Sequence, residues 1–405
     1  AFGMVSLRSS LLCLLVVVVA SVPVTVEKPS WIDNPSFKAA AMGRTPYPVN
    51  TYNVNMDLDP EHRWDEVGAA FKDKAYKLVD YIDELVPKSL MPIVEAVGDK
   101  LDSYKGFGDF GAEMKGLARS LNVSLSYIVV GNLIYQLEHL GINCTARNTT
   151  GPCPPKSDGI VYPFRRSTVE DGPSGYCTSI VAEDPTGKIV HARNMDWNLP
   201  LALRQMYINV NFQTNNKTVF TGTTLVGFTG IFNAFRSGAW SWTIDARDQG
   251  GAILTNILEM ILHGSQPPLQ HARRALYDST TYDDAITKLT QGDVSNPAYF
   301  IVGGVSKNEG AVVSRDRNKP GDVWSINAST FYRLETNYDH WDAVPSYDDR
   351  RTYADRYMDA LGEAHVNATS MLKVVETWPV FNHHTDMTSI IVPKDGVYNV
   401  VYWSD

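Results

Sequence analysis

The chain contains only four cysteines among 405 residues, and it has no excess of basic residues. Lysine and arginine total 36 against 45 aspartates and glutamates, which gives a net charge of −9. A nucleic-acid-binding protein normally carries a basic patch, so this charge argues against that class. A membrane-spanning helix needs roughly 20 consecutive apolar residues, and no such run follows the first residues of the chain. We therefore expect a globular protein without a transmembrane anchor and without a nucleic-acid partner.

Several common catalytic motifs are also missing. The sequence has no Gly-x-Ser-x-Gly elbow, no His-Glu-x-x-His, no phosphate-binding P-loop, and no Gly-x-Gly-x-x-Gly after a predicted strand. These absences argue against serine hydrolases of the elbow type, zinc proteases, P-loop nucleotidases and dinucleotide-dependent oxidoreductases. The sequence accordingly predicts neither a cofactor nor a metal site.

The amino-terminal segment has the pattern of a secretory signal. Met4 begins a short segment that contains Arg8, and an apolar run extends from Leu11 to Ala20 before small residues at the expected cleavage point. This run is too short for a membrane span. We expect residues 1–22 to be a cleaved signal peptide, with residues 1–3 as an upstream extension. The protein would then be lysosomal or secreted.

Glycosylation motifs and cysteine usage agree with that compartment. Asn-x-Ser/Thr triplets, which are N-glycosylation acceptors, begin at Asn122, Asn143, Asn148, Asn216, Asn327 and Asn367. With Cys13 in the signal, three cysteines remain, and an odd number in a secreted protein suggests one pair and one free thiol. Cys144 and Cys153 flank a small polar loop and could form a disulfide, whereas a metal site there lacks further ligands. Cys177 is then the unpaired thiol.

The predicted secondary structure changes at Cys177. Residues 23–176 have mainly helical patterns and end in a long polar loop over 141–176, where proteolytic cutting is favoured. Residues 177–405 alternate β-prone runs with blocks of helix. The first two of these runs are joined by Asp184-Pro-Thr-Gly187, a hairpin turn signal. Strands and helices that come in blocks favour antiparallel sheets and an α+β fold.

A cysteine that opens a strand is followed by an arginine and an aspartate across this hairpin. The segment reads Cys177-Thr-Ser-Ile-Val-Ala-Glu-Asp and continues to His191-Ala-Arg-Asn-Met-Asp-Trp197. Spacing alone fits a core cysteine with a surface ion pair better than a catalytic site. The segment, however, closely resembles the acid ceramidase and N-acylethanolamine acid amidase family, in which it begins the catalytic β-subunit. Further family-like segments lie at residues 63–64, 113–116, 216–224, 297–304, 336–341 and 348–352.

The resemblance implies an N-terminal-nucleophile hydrolase with an αββα sandwich. It implies a helical α-subunit, residues 23–176, and a catalytic β-subunit, residues 177–405, which stay together as a heterodimer after the Tyr176–Cys177 bond is cut. Cys177 would then be an N-terminal nucleophile. Its own α-amino group, with a pKa of about 7.7, could accept the thiol proton without help from a histidine.

The resemblance also assigns roles to residues far from the cysteine. Arg193 and Asp196 would hold and polarise Cys177, Asn337 would supply an oxyanion-hole donor, and Arg350 would belong to the supporting polar network. Arg193 would favour the thiolate by its charge. These catalytic assignments rest on the matched segments.

One departure from the family pattern affects the site. Where the family has a Glu before an Arg, this chain has Ala246 before Arg247. Asp245 carries a carboxylate, but neighbouring strand residues face opposite sides, so we expect it to face away from the site. A lipid-binding relative with weak or no turnover is therefore an alternative to an active enzyme.

The resemblance implies hydrolysis of the amide bond of N-acyl lipids, with ceramide cut to sphingosine and fatty acid. N-acylethanolamines are the alternative substrates, and amides like penicillin or bile salts are a third hypothesis. The need for an accessory lipid-presenting protein is left open. An acyl chain requires an apolar groove, although each candidate lining residue is also a candidate core residue. These candidates are Trp197, Leu199, Leu201, Phe228, Phe232 and Trp240.

Overall fold

The computed structural model describes residues 44–85, 92, 98, 107–138, 176–197, 199–247, 264–345 and 348–404. The signal-like segment, Asn143, Asn148 and the cysteines Cys144 and Cys153 lie outside the described residues, so glycosylation and the disulfide there stay predictions. The sequon asparagines that are described are all exposed, as a glycan acceptor must be. They are Asn122, Asn216, Asn327 and Asn367.

Two β-sheets form the centre of the molecule. The strands are β1 (Pro46–Tyr47), β2 (Thr51–Asn55), β3 (Tyr176–Glu183), β4 (Ile189–Asp196), β5 (Tyr207–Thr214), β6 (Lys217–Leu225), β7 (Asn233–Arg236), β8 (Trp240–Ala246), β9 (Ala298–Gly303), β10 (Gly310–Arg315), β11 (Pro320–Ser325), β12 (Tyr332–Glu335), β13 (Met387–Val392) and β14 (Val397–Trp403). The first sheet has the order β1-β14-β13-β4-β3-β12, and the second has the order β11-β10-β9-β8-β7-β6-β5-β2. All pairs are antiparallel except β2 with β5.

Helices cover the outer face of each sheet. The described helices are α1 (Asp65–Phe71), α2 (Tyr76–Leu85), α3 (Asp109–Leu121), α4 (Leu125–Glu138), α5 (Leu201–Arg204), α6 (Pro268–Asp278), α7 (Tyr282–Thr290), α8 (Arg350–Leu361) and α9 (Ala368–Val375). None of these described helices is long and apolar enough to cross a membrane. The N-terminal part is mainly helical, and it also adds β1 to the edge of the first sheet and β2 to the edge of the second.

Alternation along the strands explains the layers. On β3, Val181 faces the second sheet and packs with Tyr299 and Ile301, whereas its neighbour Ile180 packs with Met358 of α8. Such alternation buries both faces of a strand when layers lie on both sides. The αββα sandwich implied by the resemblance is therefore confirmed.

A buried ion pair joins the N-terminal helices to the part of the chain after Cys177. The carboxylate of Glu113 in α3 is fully buried and forms an ion pair with Arg273 of α6, with a distance of 2.9 Å from Oε1 to Nη2. Arg63 donates to Glu113 Oε1 at 2.9 Å, and the indole of Trp64 donates to Oε2 at 2.7 Å. Because each buried charge has an opposite charge or a hydrogen-bond partner, this cluster links the two parts through specific polar contacts.

A second link is centred on Asn132 of α4. Its Oδ1 accepts from the backbone N–H of Thr229 at 2.7 Å and from the Thr229 hydroxyl at 2.8 Å, and its Nδ2 donates to Gly227 O at 2.8 Å. The two parts would therefore stay associated without the peptide bond at residue 176.

Candidate active site

The β3–β4 hairpin brings the central residues of the site together. Asp184 accepts from the backbone N–H of Thr186 at 2.8 Å and closes the turn, as the Asp-Pro-Thr-Gly signal predicts. The antiparallel register sets Tyr176 opposite Asp196 and Ser179 opposite Arg193. A hairpin of this length therefore returns the residues near its end to the beginning of its first strand.

Cys177 is free, buried and held by three polar contacts. Its thiol accepts from Arg193 Nη2 at 3.3 Å, its backbone N–H donates to Asn337 Oδ1 at 2.8 Å, and its carbonyl accepts from Arg350 Nη1 at 2.6 Å. The Tyr176–Cys177 bond lies inside β3, so the structure shows the uncut chain. The nitrogen of Cys177 is an amide in this form, and it already lies where an α-amine would be after cleavage.

Burial raises the pKa of the Cys177 thiol to about 12, which outweighs the opposing effect of Arg193. The carboxylates of Asp245 and Asp196 raise the pKa further. The thiol of the uncut chain is therefore protonated at every physiological pH, and the nucleophile needs a base. A new N-terminal amine at residue 177 would provide one within the same residue.

Asp196 is a fully buried carboxylate with hydrogen bonds to both oxygens. Thr385 donates to Oδ1 at 2.7 Å and Asn382 donates to Oδ2 at 2.9 Å, while Arg350 Nη1 lies 3.3 Å from Oδ2. Burial raises its pKa to about 6 despite Arg350 and these hydrogen bonds. Sequence reasoning missed Asn382 and Thr385, because a polar loop before a strand has no pattern that indicates such contacts.

Asn337 and Arg350 complete the arrangement. Asn337 Oδ1 also accepts from Arg350 Nη2 at 2.9 Å, which orients its amide, and its Nδ2 donates to the carbonyl of Ala246 at 2.8 Å. An amide nitrogen has two donor hydrogens, so the second remains for an oxyanion. Arg350 is held by Asp348, from Oδ2 to Nη2 at 2.7 Å. The structure thus groups all five predicted catalytic residues in one buried network, and their roles in catalysis stay predictions.

The expectation for Asp245 was wrong. Its Oδ1 accepts from Ser179 Oγ at 2.8 Å and lies 3.4 Å from Arg193 Nε, so its carboxylate faces the site from the second sheet. Alternation along β8 instead turns the side chain of Ala246 to the other face. Side chains do alternate between the two faces of β8, as expected. The error lay in taking residue 246, and not residue 245, as the one that faces the site. The packing of β8 against β3 and β4 decides which residue that is.

The candidate groove residues do not all lie together. Trp197, Phe228 and Phe232 form an aromatic cluster, with ring centroids 5.2 Å apart for Trp197–Phe232 and 6.2 Å for Trp197–Phe228. Leu199 is buried and Leu201 is exposed. Trp240 donates its indole N–H to the carbonyl of Ser279 at 3.1 Å, beyond the end of α6. Of the predicted groove residues, Trp197, Phe228 and Phe232 are therefore the ones that lie together in one cluster.

The raised pKa values of several buried carboxyl groups predict how the stability of the fold depends on pH. Burial raises the pKa of Asp196 to about 6, of Asp245 and Asp386 to about 7 and of Glu335 to about 8. Their unfolded values are about 4, so their stabilising contribution is complete below about pH 4 and is lost as the pH rises through the folded values. Burial lowers the pKa of His191 to about 3, an opposing contribution that acts only below about pH 6.5.

We therefore expect the melting temperature of the purified chain to fall between pH 5 and pH 8. Scanning fluorimetry across this range would measure it. Glu335→Gln removes one titrating group and should flatten the upper part of the curve. A melting temperature that stays constant or rises over this range would contradict the assignment.

Two family profiles match this chain, and one of them begins at Cys177. A profile of linear amide C–N hydrolases of the choloylglycine hydrolase family matches residues 177–369. A second profile, described as the beta subunit of N-acylethanolamine-hydrolyzing acid amidase, matches residues 47–107. That segment precedes Cys177, and we keep the name α-subunit for it.

The relatives that match most of this chain are of two kinds, acid amidases and acid ceramidases. The N-acylethanolamine-hydrolyzing acid amidase of Rattus norvegicus is 30% identical over 89% of this chain and 89% of its own length. The acid ceramidase of Homo sapiens is 30% identical over 96% of both chains. Among solved structures, the Caenorhabditis elegans N-acylethanolamine-hydrolyzing acid amidase ortholog is 33% identical and covers 54% of this chain and 93% of that chain, with a TM-score of 0.49.

Proposed function

This chain belongs to the acid ceramidase and N-acylethanolamine acid amidase family of linear amide hydrolases, and from that premise we propose that Cys177, once N-terminal, hydrolyses the amide bond of ceramide. Hydrolysis of N-acyl lipid amides is the activity of the family. The observation that supports the proposal best is the placement of the Cys177 nitrogen 2.8 Å from Asn337 Oδ1 with the thiol 3.3 Å from Arg193 Nη2. The uncut chain therefore already holds the backbone nitrogen that cleavage would turn into an amine, and the thiol lies beside a cation.

Cleavage would come first. The Cys177 sulfur attacks the carbonyl carbon of Tyr176, and the thiol proton passes to the Cys177 nitrogen as the Tyr176–Cys177 C–N bond breaks. The acyl group is then on sulfur as a thioester, and Cys177 carries a free amine. Water then hydrolyses the thioester, which leaves a carboxylate on Tyr176 and a free amine and thiol on Cys177. The contact of Arg350 with the Cys177 carbonyl would hold Cys177 in place during this step.

Turnover repeats this chemistry on the lipid. The α-amine takes the thiol proton, the thiolate attacks the amide carbonyl, and Asn337 donates to the oxyanion. The C–N bond breaks, the protonated amine transfers its proton to the leaving sphingoid amine, and water hydrolyses the acyl thioester to fatty acid. The products contain the atoms of the lipid and one water.

The test combines processing with a substrate panel. Purified full-length protein is held at acidic and neutral pH, and mass spectrometry determines whether a chain beginning at Cys177 appears. The processed protein is then given ceramide, an N-acylethanolamine, and bile-salt or penicillin amides, with and without an added lipid-presenting protein. Fatty acid released from ceramide in a thiol-dependent reaction supports the proposal, and a chain that binds these lipids but never hydrolyses them would reject it.

N-acylethanolamine hydrolysis is the second candidate. The match of residues 47–107 to a profile named for N-acylethanolamine-hydrolyzing acid amidase favours it. The two lipids differ in the amine part and share the acyl chain, so the ratio of kcat/KM between them decides between the candidates.

We also propose a lysosomal or extracellular location. The signal-like start, the exposed sequon asparagines and the buried carboxyls that favour acidic pH support it. Treatment of protein from expressing cells with an N-glycosidase should lower its mass, and an unchanged mass would count against this location.

Loss of the Asn337 amide should reduce turnover more than binding. Asn337→Ala removes the proposed oxyanion donor, and such a donor is typically worth about 10²–10³ in kcat. We expect a loss of that size with a much smaller change in KM. Asn53→Ala, at an exposed position on β2, is the matched control. Equal kinetics for both variants would remove Asn337 from the mechanism.

A further inference from the structure

Asp245 lies between the two sheets, directly behind the residues that contact the nucleophile. It is on β8 of the second sheet, and its side chain reaches across to β3 and β4 of the first sheet. The Ser179 hydroxyl donates to its Oδ1 at 2.8 Å, and Arg193 Nε lies 3.4 Å from the same oxygen. Asp245 is fully buried.

Two neighbouring points on β8 hold the Arg193 guanidinium. Nη2 donates to the carbonyl of Ile244 at 2.5 Å, Nε faces the carboxylate of Asp245, and Nη2 also contacts the thiol of Cys177 at 3.3 Å. A guanidinium is a planar fork, so contacts at Nε and Nη2 determine both its position and its plane. The contact of Arg193 with sulfur therefore depends on what β8 presents at residue 245.

A second buried carboxyl adjoins Asp245. Glu335 on β12 is directly opposite Ser179 in the register, so it faces the second sheet on the same side as Ser179. In the part of the chain that the structure describes, Asp245 Oδ2 and Glu335 Oε2 are buried and have no hydrogen-bond partner. The other charged and titratable groups around this pair are Cys177, Arg193, Tyr299, Asp339, Arg350 and Arg351.

We propose that Asp245 is a positioning residue of this active site: it holds Arg193 against the sulfur of Cys177, and its charge sets how strongly Arg193 favours the thiolate. The inference rests on the proposed function. Ala246 has no side chain that could do this, and Asp245 reaches the site from the opposite strand face.

The charge of Asp245 has a definite effect on Cys177. An ionised Asp245 partly neutralises Arg193 and raises the pKa of the Cys177 thiol. Burial raises the pKa of Asp245 itself to about 7, although Arg193 and the Ser179 hydrogen bond act in the other direction. In acid, Asp245 is neutral and the full charge of Arg193 acts on the sulfur.

Two substitutions separate position from charge. Asp245→Asn keeps a side-chain oxygen for Ser179 and Arg193 but cannot ionise, whereas Asp245→Ala removes both the contact and the charge. Asp395→Asn, at an exposed aspartate on the surface, is the control. Three properties of each full-length variant are measured. The first is the fraction of chain cut at Cys177, and the second is kcat and KM for whichever lipid of the substrate panel the wild type hydrolyses. The third is the rate of Cys177 alkylation by iodoacetamide from pH 5 to pH 9.

For Asp245→Ala we expect kcat to fall at least about tenfold with KM within about twofold, because the nucleophile is displaced and the lipid site is not. For Asp245→Asn we expect most of kcat to be retained. The rate of Cys177 alkylation at pH 9, where wild-type Asp245 is ionised, should rise about tenfold because a nearby negative charge is gone. The control should match the wild type in all three assays.

Wild-type kcat and alkylation for Asp245→Ala would overturn the proposal. If that variant fails to fold, Asp245→Asn decides, and a wild-type alkylation rate at pH 9 overturns the proposal. Alkylation needs no lipid, so a wild-type chain that hydrolyses none of the panel would reject the proposed function while the Asp245 assay still gives its own answer.

Discussion

Cys177→Ala should leave the purified chain uncut and reduce amide hydrolysis at least about 10⁴-fold, the scale expected when a covalent nucleophile is removed. The physical reason is that Cys177 supplies two groups at once. Its sulfur forms the acyl intermediate, and its nitrogen becomes the base after cleavage. In the structure no other cysteine lies among the described residues, so no second thiol of that part of the chain can replace it.

Two comparisons make this prediction specific. Cys177→Ser keeps a nucleophile of similar size but with a far more basic oxygen, so we expect slow cutting and weak turnover. Mass spectrometry and fatty-acid release measure the two steps separately. If an external protease cuts Cys177→Ala and the product is inactive, the catalytic role stands and self-cleavage does not. A cut and fully active Cys177→Ala protein would contradict both.

Glu113→Ala should lower the free energy of unfolding by about 3–5 kcal/mol, because it leaves the guanidinium of Arg273 buried without its counter-charge. Arg63 and the indole of Trp64 lose the same acceptor. Since Glu113 and Arg273 lie on opposite sides of the cleavage point, we also expect the two processed chains to separate more easily.

Asp109→Ala is the matched control, because Asp109 is in the same helix and also pairs with Arg63, but at a largely exposed position. Exposed pairs contribute about 0–1 kcal/mol. Denaturant titration of the uncut Cys177→Ala chain measures stability, and co-purification of the processed chains measures association. Replacement of both Glu113 and Arg273 by methionine should restore much of the loss. Equal effects of Glu113→Ala and Asp109→Ala would show that the buried pair does not hold the parts together.

Sequence reasoning succeeded where the decisive contacts are local. The turn at 184–187 and the run of β-prone residues on each side were enough to predict that Arg193 returns to Cys177, and the register confirms that arrangement. It failed where two strands of different sheets meet. The phase of alternation on β8 was assigned wrongly, so Asp245 was expected to face away, although it contacts Ser179 and Arg193.

The polar contacts of Asp196 were also beyond sequence reasoning. Asn382 and Thr385 lie 186 and 189 residues from Asp196 and carry no periodic signal. Their side chains are common in any surface loop. Only the folding of the loop before β13 onto the end of β4 shows that they satisfy a buried carboxylate.

By itself, the sequence determined the unpaired Cys177 and the hairpin behind it. The cysteine count indicated the free thiol, and the hairpin depends on residues within about twenty positions of one another along the chain. The tertiary structure alone decided the rest of the site. It brought Asn337 to the nitrogen of Cys177 across 160 residues and Arg350 to its carbonyl across 173 residues. It also selected Asp245 rather than residue 246 to face Arg193. A strand pattern has two possible phases, and only burial against a second sheet distinguishes them.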